Sequence, residues 1–330
     1  MNKFKAKGVA LISVMLIVAL AAVLLTQMTA RLQLQLQRTT NVNFNQQAYW
    51  YAMGAEAFAQ RVLTTAFKQE EDVTHLGQIW AQGETSFPVD YGQITGEITD
   101  LQSCLNLNAL RVEKSNGSAP SQTKLPAMTA LKELILALNI EGVGDFEADY
   151  MVDALTDWLD DDSTIVSAGG AEDNDYSAKE FPYLPANHYL ASINELRVIE
   201  HFTPTIINAL KDYVCVIPGS AVHNINVNTL SADKPELLQA LLEISQNDAQ
   251  SILSARSAEG FKSIDDFFAL QEVAKLKLAD DKKQQFVVDS NYFKLKASAS
   301  FNNSHFAMNS IMKIDNRQIN VISRTIGREL

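Results

Sequence analysis

Acidic side chains crowd one short stretch of this chain, and their spacing is the pattern best suited to chemistry. In Asp157-Trp158-Leu159-Asp160-Asp161-Asp162-Ser163 a helical pattern ends in consecutive aspartates. The unpaired carbonyls at a helix C-terminus carry partial negative charge and favour cations, so three aspartates there are unfavourable unless something positive binds. A second acidic group follows in Gly169-Gly170-Ala171-Glu172-Asp173-Asn174-Asp175-Tyr176. Oxygens folded together from two such segments suit calcium, which takes about 6–8 oxygen ligands in flexible geometry. An EF-hand is excluded, because the run from Asp160 to Glu172 lacks the glycine such a loop needs at its sixth position. Three readings stay open on these residues alone: a calcium site, an unliganded acidic loop, and a carboxylate pair for glycoside hydrolysis, which no further pattern supports. Just upstream, Asp145, Asp149, Asp153 and Asp157 recur every four residues and read as one solvated helix face, with Met151, Leu155 and Trp158 on the core side.

Other chemistry has little footing. The five histidines show no metal-ligand spacing, neither cysteine lies in a CxxC, and no nucleophile stands beside a base, so no enzyme is expected. Cys104 and Cys215 are an even pair 111 positions apart. In an oxidising compartment they suggest a disulfide, and otherwise two buried thiols. The formal net charge of −12 with pI ≈ 4.9 makes a poor partner for nucleic acid or anionic headgroups. That matters because two segments resemble helix–hairpin–helix units of the kind found in membrane-anchored DNA receptors. They are Leu131–Leu159, connected by Glu141-Gly142-Val143-Gly144, and Lys234–Leu270, connected by Ile244-Ser245-Gln246-Asn247. From Glu141 through Ala178 there is no lysine or arginine, so phosphate contact lacks its cations.

These groups must be held by a scaffold whose first part is unmistakable. Met1–Gly8 carries three lysines, and the 20 residues from Val9 to Met28 carry no charge, about the length that crosses a ~30 Å hydrocarbon core. Lys3, Lys5 and Lys7 place the N-terminus in the cytoplasm and the rest on the opposite side. A cleaved secretory signal is the alternative, although no clear A-x-A site ends the apolar run. Neither glycine nor proline falls between Gly8 and Gly54, which predicts one helix of roughly 45–55 residues, half of it in lipid. Trp50, Met53, Ala57, Phe58 and Val62 are expected to face a core. Short strands are expected within 85–112, including Cys104–Asn108, and an edge strand over Asn224–Thr229. Tyr292–Phe301, Phe306–Ile314 and Arg317–Ile326 read as a closing meander turned at Asp315-Asn316. The expected organisation is an apolar anchor at 9–28, a continuing helix and first strands at 29–112, and a linker at 113–124. An all-α insert follows at 125–280 and strands at 281–330, making an α+β fold with a helical insert.

A lysine-bearing leader ending in glycine and followed at once by an apolar helix resembles the type IV prepilin class. The resemblance implies cleavage by prepilin peptidase between Gly8 and Val9, with N-methylation of Val9 and retention of the anchor. Most members carry glutamate at the fifth mature position, where this chain has Ser13. A carboxylate in lipid is costly without a cation. In the class it neutralises the N-terminal ammonium of the adjacent subunit nearer the tip, so a subunit with nothing above it is better served by an uncharged residue.

Further segments resemble the type II secretion minor pseudopilins of the general secretion pathway protein K family: Leu105–Leu110, Asp157–Asp162, Gly170–Asp173, Pro182-Tyr183 with Asn187, Ser192–Arg197 and Ile225–Thr229. The resemblance implies a pseudopilin fold, in which the long helix packs on a small antiparallel sheet and the insert carries helix–hairpin–helix or SAM-like units. It implies an inner-membrane, periplasm-facing subunit at the pseudopilus tip. Its partners would be minor pseudopilins I and J, the major pseudopilin and membrane lipid, with no nucleic acid. It also implies structural calcium held by Asp160, Asp162, Glu172, Asp173, Asp175 and Asn187. A type IV minor pilin shares the leader but normally lacks the insert and acidic loop.

Overall fold

The computed structural model describes residues 9–112, 125–315 and 318–327. The leader at 1–8, with Gly8, the linker at 113–124, and Asn316 with Arg317 of the last turn lie outside them. Helix α1 (Val9–Gln69) is unbroken over 61 residues, about 90 Å. It outruns the expected 45–55 residues because Gly54 lies on an exposed face where nothing crowds it and the helix passes straight through. Its first half is exposed all round, and its N-terminal stretch is long and apolar enough to cross a membrane.

The second half of α1 packs on a five-stranded antiparallel sheet in the order β1-β2-β7-β8-β9. Its strands are β1 (Thr85–Val89), β2 (Gly92–Asp100), β7 (Tyr292–Phe301), β8 (Ser304–Asp315) and β9 (Gln318–Ile326). Period-two alternation sends Phe293, Leu295, Ala297 and Ala299 of β7 toward the helix. They meet Ala52, Ala55, Ala59, Leu63 and Ala66, a stripe of mostly small side chains that lets helix and sheet approach closely. The expected aromatic face is therefore corrected. Trp50 and Phe58 are 63% and 55% exposed and Ala57 faces solvent, while Met53 and Val62 only border the core. One charge lies inside this interface. Glu56 accepts from Arg324 Nε and an Arg324 terminal nitrogen (2.9 and 2.7 Å) and from Ser310 Oγ (2.5 Å). Burial works against its ionised form, but those hydrogen bonds and the Arg324 charge win and hold its pKa below the usual range.

Between β2 and β7 the chain leaves the sheet and builds a second, larger core. In order come β3 (Leu105–Asn106), α2 (Pro126–Ala137), α3 (Asp145–Leu159), α4 (Asp173–Ser177), α5 (Pro204–Leu210), β4 (Val214–Cys215), β5 (Ile225–Asn226), α6 (Glu236–Leu242), α7 (Gln246–Ala255), α8 (Ile264–Phe268), α9 (Gln271–Ala274), α10 (Asp280–Lys283) and β6 (Phe286–Val287). Leu131, Leu134, Leu155, Trp158 and Leu238 are among its buried side chains. Two expected strands shrink. Cys104–Asn108 yields only Leu105–Asn106 before a 3₁₀ turn at Leu107–Leu110, and Asn224–Thr229 yields only the buried β5, paired in parallel with β6 in a two-stranded sheet. The alternating asparagines cause both differences, because they face inward and staple loops. Asn106 donates to Ser220 O and Val222 O, and Asn108 to Leu190 O and Ile217 O. Asn226 donates to Thr74 O and Ser290 Oγ.

The insert joins the sheet through a narrow neck with two locks. Cys104 and Cys215 form a disulfide with Cα atoms 5.8 Å apart. Closing a loop of that length stabilises by roughly 4–5 kcal/mol on the chain-entropy account. Beside it, Asp100 at the end of β2 is buried and accepts from Ser290 Oγ (2.6 Å), Thr229 Oγ1 (2.6 Å) and Gln102 N (2.7 Å). Burial outweighs these donors and pushes its carboxyl up to about 6. A carboxyl with a folded pKa above its unfolded value binds its proton more tightly when folded, so this neck is stabilised as pH falls. In urea unfolding, the wild type should gain on the order of 2 kcal/mol relative to Asp100→Asn between about pH 7 and about pH 4. A difference that stays flat over that range refutes the assignment.

Candidate metal centre

Helix α3 delivers the first acidic segment and its own C-terminus. The helix starts cleanly, with Glu147 accepting from Gly144 N (2.9 Å) and the negative charges of Asp145 and Glu147 in its first turn. The row of four aspartates is not uniformly solvated. Lys132 on α2 binds Asp145 (3.0 Å) and Asp149 (2.8 Å), whereas Asp157 is fully buried. Part of the positive charge wanted at the end of α3 comes from Arg111, which donates to Leu159 O and to Asp161 and lies 4.8 Å over the Tyr189 ring. Nothing in the spacing of the acidic loop announces Arg111, which stands 48 residues before Leu159.

Past Leu159 the chain turns twice on aspartate side chains. Asp160 Oδ1 accepts from Asp162 N (3.1 Å) and Asp162 Oδ1 from Thr164 N (2.8 Å). The returning segment then presses against α3. A Cβ on Gly169 would fall 2.6 Å from Tyr150 Cα, and one on Gly170 would fall 2.1 Å from Asp157 Oδ2. This close approach carries Glu172 inward to 4% exposure, with Asp175 Oδ2 accepting from Glu172 N (3.0 Å) at the start of α4.

Among the described residues, Asp160, Asp162 and Glu172 each place a carboxylate oxygen within 4.8 Å of the others. Asn187, with φ 46°, donates its amide to Asp162 O (3.1 Å) and has a buried Oδ1 without a partner. Both carboxylate oxygens of Glu172 and Asp157 Oδ2 are likewise buried without hydrogen bonds. Of the remaining expected ligands, Asp173 accepts from Ser163 (3.4 Å), and the exposed Asp175 serves as the α4 cap, so these two lie outside the close group. Asp157 was hidden in the four-residue row. The signals that could have revealed it are its place beside Trp158 and the adjacent glycines Gly169-Gly170 that must pass it.

The electrostatics follow from crowding without a cation. Burial, then the charges of Asp157, Asp160, Asp173 and Asp162, push the Glu172 carboxyl up to about 7. Burial also pushes Asp157 up to about 7, with Asp160 and Asp153 adding to it and a hydrogen bond from Val166 N opposing it. Several buried oxygens with no hydrogen-bond donor, offered by carboxylates and one amide, are the donor set of a hard cation such as calcium.

A long apolar helix packed on an antiparallel sheet, with a helical insert that carries this acidic centre, defines the class: a minor pseudopilin of type II secretion, a structural component anchored through its N-terminal helix. Family models described as type II secretion system (T2SS), protein K, match residues 103–219 and 225–289. Proteins named type II secretion system protein K are 39% identical in Aeromonas hydrophila (77% of both chains) and 33% identical in Klebsiella pneumoniae (97% of this chain, 96% of that one). The crystal structure of the GspK-GspI-GspJ complex from the enterotoxigenic Escherichia coli type 2 secretion system holds a similar chain. It has a TM-score of 0.77 and 32% identity, over 88% of this chain and 100% of that one. The chain belongs to the type II secretion system protein K family.

Because Tyr150 Cα is backbone and cannot step aside, Gly169→Ala should lift the loop off α3. The expected cost is about 1–3 kcal/mol in thermal or urea unfolding. An unchanged midpoint would show that the two segments do not meet as described.

Proposed function

We propose that this chain is the tip subunit of a type II secretion pseudopilus. After cleavage between Gly8 and Val9, the apolar part of α1 holds it in the inner membrane, with the globular part in the periplasm. There it joins minor pseudopilins I and J and primes assembly of the major pseudopilin for export across the outer membrane. The observation that carries this reading is at Ser13, whose hydroxyl donates to Val9 O (2.9 Å) within its own helix. The fifth mature position is thus satisfied internally and makes no demand on the ammonium of a subunit above it. The bulk of the insert supports the same placement, since so large a body fits the end of a filament better than its interior. The complex that holds the similar Escherichia coli chain supports I and J as partners.

In this reading the acidic centre binds structural calcium. Asp160, Asp162 and Glu172 supply charged oxygens and Asn187 a neutral one, while Asp157 and Asp173 add negative charge around them. The ion offsets the repulsion that raises Asp157 and Glu172 and ties the loop from Asp160 to Asn187 to the end of α3. The role of the chain is assembly, with the metal serving rigidity.

Four measurements test this. The wild-type chain should co-purify from detergent extract with I and J, and Ser13→Glu should insert poorly or take an altered position. Incorporation of Ser13→Glu at interior filament positions as readily as a major subunit would sink the tip reading. For the metal, excess chelator added to calcium-loaded protein should lower the melting temperature by several degrees, roughly 2–4 °C per kcal/mol at this size. Proteolysis between Asp160 and Asn187 should also increase, and an unchanged melting curve would count against calcium.

A further inference from the structure

The surface around the acidic loop displays large apolar side chains that the core does not take. Phe146, Tyr150, Ile165, Val166, Phe181 and Leu184 are between 38% and 78% exposed, with Phe181 the most open. The segments that carry them touch one another. Phe146 and Tyr150 stand one turn apart on α3, and Tyr150 also backs Gly169. Gly170 lies close beside Ile165, its would-be Cβ 3.2 Å from that residue's own. The Tyr150 ring lies 5.6 Å from the His201 ring, three residues after the half-exposed Val198. Tyr183, between Phe181 and Leu184, donates its hydroxyl to Val198 O (2.6 Å). Single exposed apolar residues need no explanation, but a run of them on segments that touch one another marks a place where something docks.

The charge around this face says what kind of partner fits. Residues 133–178 contain thirteen acids and neither lysine nor arginine, so this stretch alone outweighs the −12 of the whole chain. Of the cations that follow it, Lys179 is tied to Glu200 (2.7 Å), and Arg197 lines a separate cleft beside the sheet. Lys132 and Arg111 reach into this stretch and offset two of the thirteen charges, and a bound divalent ion would offset two more, so most of the negative charge remains. An apolar face set in an acidic field repels anionic lipid and acidic polypeptide, and attracts apolar side chains flanked by cations. Truncating apolar anchors at the centre of such a face removes most of its affinity.

We propose that the face built by α3, the acidic loop and the segment after α4 is a docking site for a polypeptide segment of another protein that presents apolar side chains between lysines or arginines.

The test uses the full chain in zwitterionic lipid nanodiscs with calcium present and empty nanodiscs as the blank. The probe is a short, fluorescently labelled leucine–lysine peptide with its leucines at helical spacing. It should bind, while a leucine–glutamate peptide should not, and a serine–lysine peptide of equal charge should bind far more weakly. Phe181→Ser with Leu184→Ser should weaken leucine–lysine binding about tenfold or more with an unchanged melting curve. If that double variant unfolds, Phe146→Ser on α3 is read in the same way. Equal binding of the serine–lysine peptide would reduce the effect to charge and overturn the proposal. So would binding untouched by the substitutions, or recruitment of anionic vesicles through the same residues.

Discussion

One helix has to satisfy two environments, and the way α1 changes partner at the membrane surface sets the geometry of everything after it. From Val9 to Met28 it offers lipid an apolar surface with every backbone bond closed internally. Beyond that it turns the alanine-rich stripe from Ala48 to Ala66 toward β7 and β8 without a break in the backbone. Small side chains are what permit the close approach, and bulky ones at those positions would hold the sheet away. Glu56, inside that interface, adds direction to the packing, since its carboxylate has to meet Arg324 on β9 and Ser310 on β8 together. The sheet is therefore fixed in register and in rotation about the rod.

The insert inherits this orientation because of where it leaves the sheet. It departs after β2 and returns at β7, two strands paired along nine registered positions from Gly92 to Asp100. Its two ends thus start side by side. The Cys104–Cys215 bond and the buried cluster of Asp100, Asn226, Thr229 and Ser290 close the neck from both units. A disulfide with an adjoining buried polar network leaves little room for the insert to swing.

Within the insert, the acidic centre shows charge and packing in opposition. The end of α3 and the loop after it bury carboxylates close together, and burial, then the neighbouring charges, raises Asp157 and Glu172. Arg111 and Lys132 answer part of it, at Asp161 and at Asp145 and Asp149. The centre of the group has buried oxygens without hydrogen-bond donors, which is the donor set that the proposed calcium would use. The same segment presents its apolar side chains outward, which links the order of the loop to the shape of the surface it displays.

Much of this was legible before any coordinates. The apolar run, the lysines ahead of it, Ser13, the acidic loop and the closing strands rest on composition and local periodicity, and local backbone physics decides such features. The segments that carried the family resemblance implied the pseudopilin fold by likeness to known relatives. Facing directions were harder. The aromatics of α1 were expected inside and lie outside, because the contact distance to the sheet selects alanine over tryptophan. The alternating asparagines at 106–108 and 224–228 imitate strands but are buried staples, since the loop carbonyls they satisfy exist only once distant segments fold back. Asp157 passed as one of a solvated row until Gly169 and Gly170 closed over it, and Arg111 reached the end of α3 from 48 residues away. Spacing along the chain determines which elements form. Which side chains end up buried, paired or lacking a partner is decided by contacts between residues far apart in sequence, and only the assembled tertiary structure supplies those.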